Sequence, residues 1–168
     1  MSLNMYQVSV PMFISMLNNL SRILIKAERY AEKKKIDPTI FVNSRLIADM
    51  YPISRQIQIG TDMVRKGIAR LADVNCPTFK DDEKTMADLQ KRITKTIAFL
   101  QKIKPAQMAD SETKKIEFSI RDNLFKFNRG DEYLQAWIIP HFYFHMTTTY
   151  NILRSNGVNL GKRDFLKF

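Results

Sequence analysis

The stretch Gly130–Gly157, GDEYLQAWIIPHFYFHMTTTYNILRSNG, constrains this chain more than any other part of it. Leu134, Ile138, His141, His145, Thr148 and Ile152 step 4, 3, 4, 3, 4 along it, the spacing of a helix with one seam buried against other helices. The helix is expected to start between Asn128 and Asp131 and to end at Gly157, a glycine placed to close the last turn. The two histidines of the protein, His141 and His145, lie four apart on that seam, and side chains at this spacing are neighbours that can reach a common atom. Pro140 precedes the pair inside the helix. It removes one backbone hydrogen bond, frees the carbonyl of Ala136 and predicts a bend at the histidines.

Three further helices are expected ahead of this one. The first covers about residues 5–34, where Val10, Phe13, Leu17, Leu20, Leu24, Ala27 and Ala31 form a heptad stripe. Asp37-Pro38 stops it and opens a short helical piece over about 38–42, followed by SRLIADMYP, read as a packed connector. The second long helix is expected over about 52–73, with Ile53, Ile57, Gly60, Val64, Ile68 and Leu71 on one face. Gln56 falls inside that face, widened by Ile59 and Met63, while Gln58 and Asp62 lie toward its polar side. Gly60 and Gly67 lower helix propensity and point to a close helix approach.

Acidic residues after Cys76-Pro77 are placed to cap a third helix over about 82–104, closed by Pro105. The period then changes to two at Ile116, Phe118 and Ile120, with a turn at Arg121-Asp122-Asn123 and a return strand from Leu124 to Phe127. The tail carries Leu160, Phe165, Leu166 and Phe168, an apolar set expected to dock on the fold or on a partner. The pattern predicts an all-α chain, a four-helix bundle with a small β-hairpin before the last helix, as one domain over 1–168.

Composition narrows the function classes. A single cysteine, Cys76, rules out an internal disulfide and suits a reducing, cytoplasmic setting. No apolar run approaches the ~20 residues that cross a bilayer, so no membrane association is expected. Met1-Ser2-Leu3 reads as a leader, and no secretory pattern follows it. The net charge of +10 is spread along the chain, dense only at Lys33–Lys35 and Lys162-Arg163, and no helix-turn-helix, zinc-finger or RNP pattern accompanies it, which argues against nucleic acid as the partner. P-loop and dinucleotide spacings are absent among five glycines. Cys76 precedes a helix start but has no catalytic partner near it in sequence.

The histidine pair has two readings. His141-Phe142-Tyr143-Phe144-His145 lacks the glutamate base of a zincin helix. As half of a divalent-metal site it needs further ligands, for which Gln56, Asp62 and Asp49 are the candidates. As neutral core residues, the histidines would hydrogen-bond Gln56, Thr148, Tyr143 or water.

Five stretches carry a family resemblance: VPMFISMLNNLSRIL, ADMYPISRQIQI, DDEKTMADLQKRITKTIAFL, PHFYFHMTTTYNILRSNGV and LGKRDFL. Together they resemble an uncharacterised domain family grouped with the DinB/YfiT-like superfamily of proposed metalloenzymes. The resemblance implies a four-helix bundle, commonly a homodimer, holding zinc or nickel on three histidines, two from the last helix and one from helix two. It also implies thiol-dependent transferase or isomerase chemistry on a small-molecule or thiol substrate. His141 and His145 match the last-helix pair, whereas RQIQIGTD offers Gln56 or Gln58 where the helix-two histidine stands. The expected metal set is thus His141, His145 and Gln56, with Tyr143, Thr148 and Gln58 around the pocket. The alternative expectation is a small-molecule-binding or dimer-forming bundle that has lost its metal.

Overall fold

The computed structural model describes residues 3–166; Met1 and Ser2, expected as part of a leader, and Phe168 of the apolar tail lie outside them. The first helix, α1 (Val10–Lys34), buries its whole heptad stripe from Val10 to Ala31. It begins at Val10 and not near residue 5, because Pro11 has no backbone N–H and belongs in a first turn. Lys35 ends it in the left-handed conformation, with φ 57°. A short helix, α2 (Thr39–Asn43), follows, its first N–H bonded to the Asp37 carboxylate at 2.9 Å.

The segment from Ser44 to Tyr51 corrects the expected packed connector. Leu46, Ile47 and Tyr51 are exposed there, as is Ile40 just before it. Its apolar residues have no helical or strand period that would turn them toward one face, so burying some would expose others.

Helix α3 (Ile53–Ala72) packs against α2 and against two later helices, α4 (Met86–Gln101) and α6 (Ile139–Ser155). Its stripe Ile53, Ile57, Val64, Ile68 and Leu71 is essentially dry. The glycines mark the closest approaches: a Cβ at Gly60 would sit 2.6 Å from Met146 Cε, and one at Gly67 would sit 2.6 Å from Ile138 Cδ1. Helix α4 starts later than expected because Thr85 and Asp88 form its capping box, leaving Asp81 and Glu83 outside the helix. Two 3₁₀ turns, Pro105–Met108 and Ser111–Thr113, lead to an antiparallel hairpin of β1 (Ile116–Ile120) and β2 (Asn123–Phe127). Ile116 pairs with Phe127 and Ile120 with Asn123, so the turn is the two residues Arg121 and Asp122.

The last long helical run is not one regular helix. It comprises α5 (Gly130–Tyr133), a π-helical turn over Leu134–Ile138, and α6. The backbone stays in the right-handed helical region through the joints at Tyr133, Leu134, Ile138 and Ile139. The wider turn lies directly ahead of Pro140, whose ring would clash with the Ala136 carbonyl in a regular α-helix. It adds a residue to the turn and rotates the buried face toward Phe142. After Leu134 and Ile138, the driest positions are Phe142, Met146, Thr149, Ile152 and Leu153; of the expected seam, Ile152 is dry, His145 and Thr148 are buried at its flank, and His141 is displaced from it.

The tail folds back as α7 (Lys162–Leu166) against α1. Asn19 donates to the Phe165 carbonyl at 2.8 Å and Lys26 pairs with Asp164 at 2.5 Å. Among the described residues the chain is mostly helical, with the hairpin as its small sheet, and none of its helices is long and apolar enough to cross a membrane.

Candidate functional site

Gln56 is buried on α3, and its amide is held at both ends. Nε2 donates to the Tyr51 carbonyl at 3.0 Å, so Oε1 is left as the acceptor facing His145 Nδ1 at 2.7 Å. The proton of the neutral imidazole therefore sits on Nδ1, and Nε2 carries the lone pair. His145 is 9% exposed, on the flank of the α6 buried face. Burial first, then the nearby His141 and Arg55, lower its pKa to about 4. It is a neutral ring across the physiological range.

His141 occupies a different environment. The register shift places it half-exposed, with its ring stacked on Trp137 at 4.2 Å between centroids and 32° between planes. Burial lowers its pKa as well. Thr148 is buried, but its hydroxyl donates to the Phe144 carbonyl at 2.7 Å, as Thr149 does to the His145 carbonyl at 2.9 Å. Tyr143 is half-buried with its ring 5.6 Å from Phe142, and burial pushes its phenol up.

Gln58 is buried, not on a polar face, and belongs to another network. Its Nε2 donates to Glu83 at 2.8 Å and its Oε1 accepts from Arg55 at 3.1 Å. The centre of that network is Arg92, nearly dry, which contacts Asp62 at 2.7 Å, Glu83 at 2.8 Å and Asp81 at 3.1 Å. Arg65, equally dry, pairs with Asp62 at 2.5 Å, donates to Cys76 Sγ at 3.0 Å and to the Pro77 carbonyl, and lies 4.2 Å over the Phe79 ring. These bonds fasten the α3–α4 loop to both helices. Burial pushes the Asp62 carboxyl up, but hydrogen bonds from Lys66 and Arg65 and the charges behind them outweigh it and hold it below the usual range.

The donor set does not fit a resident divalent ion. His145 has one free nitrogen, the Gln56 amide is engaged by His145 Nδ1 and the Tyr51 carbonyl, Asp62 is committed to three cations, and Asp49 is exposed on the connector. Among the described residues, no group of three or more histidine, cysteine, aspartate or glutamate side chains converges as a metal site would require.

A cleft of about 600 Å³ opens beside these residues, between α3 and the hairpin. Ile59, Met63, Phe118, Phe125 and Trp137 form its apolar lining, and Trp137 links it to His141. The three aromatic rings form one cluster, with Phe118 and Phe125 stacked at 5.5 Å and Trp137 tilted by 50° against Phe125 at 4.6 Å. Arg55, Lys66, Arg70 and Arg121 line the same cleft. Of the expected site residues, the structure brings Gln56 and His145 together and puts Gln58 on the cleft wall; neither histidine lines the cleft itself. The cleft and the arginine network were missed from the sequence. The available signal was Arg92, set between Leu89 and Ile93 on an otherwise apolar face.

The family model of a domain of unknown function, DUF1993, matches residues 5–166. The chain is similar to a solved structure of a DinB family member protein from Shewanella denitrificans, with 39% identity, a TM-score of 0.87, and coverage of 96% of this chain and 90% of that one. The search of curated proteins found no match.

Proposed function

The chain belongs to the DUF1993 family, within the DinB-like group, and from that premise we propose that it is a single-domain four-helix bundle of the DinB/YfiT type, built on α1, α3, α4 and α6, that binds an organic small molecule without a resident metal. The carrying observation is the 2.7 Å contact between Gln56 Oε1 and His145 Nδ1. An amide stands where the resemblance calls for a third imidazole, and it holds His145 by hydrogen bonding. The metal-dependent transferase or isomerase reading needs a ligand set of zinc or nickel that these residues do not form. The cleft beside Trp137 supports the binding reading: its volume is in the range of ligand pockets, and it combines an aromatic lining with a few charged groups.

A homodimer belongs to the same proposal, since self-association through the α2–α3 connector would cover Ile40, Leu46, Ile47 and Tyr51. A cytoplasmic location suits the single, unbridged cysteine.

Elemental analysis of tag-free protein after exposure to zinc and to nickel tests the proposal. Metal well below one equivalent, unchanged in His145→Ala, is the expected result. One tightly held equivalent that His145→Ala abolishes would return the chain to the metalloenzyme reading.

A further inference from the structure

The charges of the cleft do not balance locally. Two carboxylates line it, Asp62 and Asp81. Asp62 already meets Arg65, Lys66 and Arg92, and Asp81 meets Arg55 and Arg92. Two of the four cations have no carboxylate among the described residues. Arg70 donates to the neutral hydroxyl of Tyr133 at 3.0 Å and lies 4.2 Å over the Phe118 ring. Arg121 occupies the hairpin turn at φ 52°, exposed at the mouth. Unmatched cations in a concave, partly apolar site concentrate positive potential where a ligand would sit.

Beside them lies an aromatic wall. Phe118 and Phe125 are stacked at 5.5 Å, and Trp137 is inclined to both, at 5.9 and 4.6 Å, so the wall offers ring faces and edges to an aromatic guest. Guanidinium groups in turn favour carboxylate and phosphate oxygens, which they bind through paired N–H donors.

We infer that the cleft between α3 and the hairpin is a site for a small organic anion, an aromatic ring carrying a carboxylate or comparable acidic group. The ring lies against the Trp137–Phe125–Phe118 cluster and the acid faces Arg121 and Arg70. This inference rests on the small-molecule reading above and names its ligand class.

The protein has one tryptophan, and it lines the cleft, so the single indole N–H resonance in a ¹⁵N–¹H spectrum reports on this site alone. Three probes of one shape separate charge from shape: 1-naphthoate, neutral 1-naphthalenemethanol and cationic 1-naphthylmethylammonium. Naphthoate is expected to move the indole resonance saturably, with at least about tenfold tighter binding than the alcohol, and acetate, which has no ring, is expected to leave it in place. Arg121→Asn keeps a residue that tolerates the left-handed turn and should weaken naphthoate about fivefold, with little change for the alcohol.

Alcohol and naphthoate binding within about twofold of each other, or naphthoate binding indifferent to Arg121→Asn, would overturn the anion assignment while leaving the small-molecule reading intact. If no probe moves the indole at millimolar concentration, both fall. Displacement of naphthoate by a single-stranded oligonucleotide at far lower concentration than by unlabelled carboxylate would overturn the inference in favour of nucleic acid.

Discussion

Nδ1 of His145 lies 2.7 Å from Oε1 of Gln56, joining α6 to α3 at the level where Gly60 lets the two helices meet. The amide cannot turn over to present its nitrogen to the ring without losing its bond to the Tyr51 carbonyl. One side-chain bond therefore fixes the tautomer of the histidine and the pose of the α3 start together. Gln56→Ala leaves the buried imidazole N–H without a partner and should destabilise the fold by about 1–3 kcal/mol, measured by urea unfolding at pH 7. A change below a few tenths would mean that the contact does not hold the ring.

The depressed pKa of His145 gives a pH dependence of definite sign. The folded ring protonates near pH 4, whereas the unfolded chain binds that proton near the ordinary 6.5. Between those values the unfolded state carries more protons, so stability is fully present above about pH 6.5 and is lost progressively as pH falls toward 4. His141, also lowered by burial, adds in the same direction. The shift sets an upper bound of about 3 kcal/mol, reduced by the solvent that reaches the ring edge. Urea midpoints from pH 7 to 4 should fall in the native protein and flatten in His145→Gln; parallel curves for the two would contradict the assignment.

The two α3 glycines should differ when replaced by alanine. At Gly67 the new methyl meets Ile138 at 2.6 and 2.8 Å, a β-branched side chain with little rotamer freedom. At Gly60 it meets the mobile end of Met146 at 2.6 Å, and His145 Cβ only at 3.2 Å. Gly67→Ala should lose about 1–3 kcal/mol. Gly60→Ala should be nearer neutral, since added helix propensity of about 1 kcal/mol offsets the crowding. Thermal or urea unfolding of both variants checks the order.

Arg92→Ala should be among the most damaging single changes. It strips Asp62 and Glu83 of a dry guanidinium and releases the 74–85 loop from α4. Breaking one side of a buried ion network costs about 3–5 kcal/mol. Loss of folding at 37 °C, or a urea midpoint lowered accordingly, is expected; a surface-like change of a few tenths would contradict the network's role.

If the exposed connector is the self-association surface, Ile47→Glu should convert a dimer to a monomer in light scattering across a concentration series. A native protein that stays monomeric throughout would remove that part of the proposal.

The heptad of α1 and the stripe of α3 were legible in the sequence because every step of each lies on one regular helix, and every residue of both stripes is buried. The alternation of Ile116, Phe118 and Ile120 likewise gave the hairpin, displaced only at the turn, where Asn123 already pairs with Ile120. His141 was misplaced for a physical reason. A seam carried through Pro140 at a constant 3.6 residues per turn ignores the π-helical turn over Leu134–Ile138, which rotates the buried face toward Phe142 and leaves His141 at its edge, while His145, Thr148 and Ile152 stay buried. Gln56 was legible because it interrupts an apolar face. Arg65 and Arg92 were not, since their burial depends on a loop whose path no periodicity encodes: Cys76, Pro77 and Phe79 meet Arg65, and Asp81 and Glu83 meet Arg92.

The most direct test is a long-range ¹⁵N–¹H spectrum of the His145 ring, recorded at pH 7 before and after one equivalent of zinc. The expected result is a neutral ring protonated on Nδ1, donating to Gln56, with both nitrogen resonances unmoved by the metal. A ring protonated on Nε2, or an Nε2 resonance that shifts stoichiometrically with zinc, would contradict the account and make the pair a metal site.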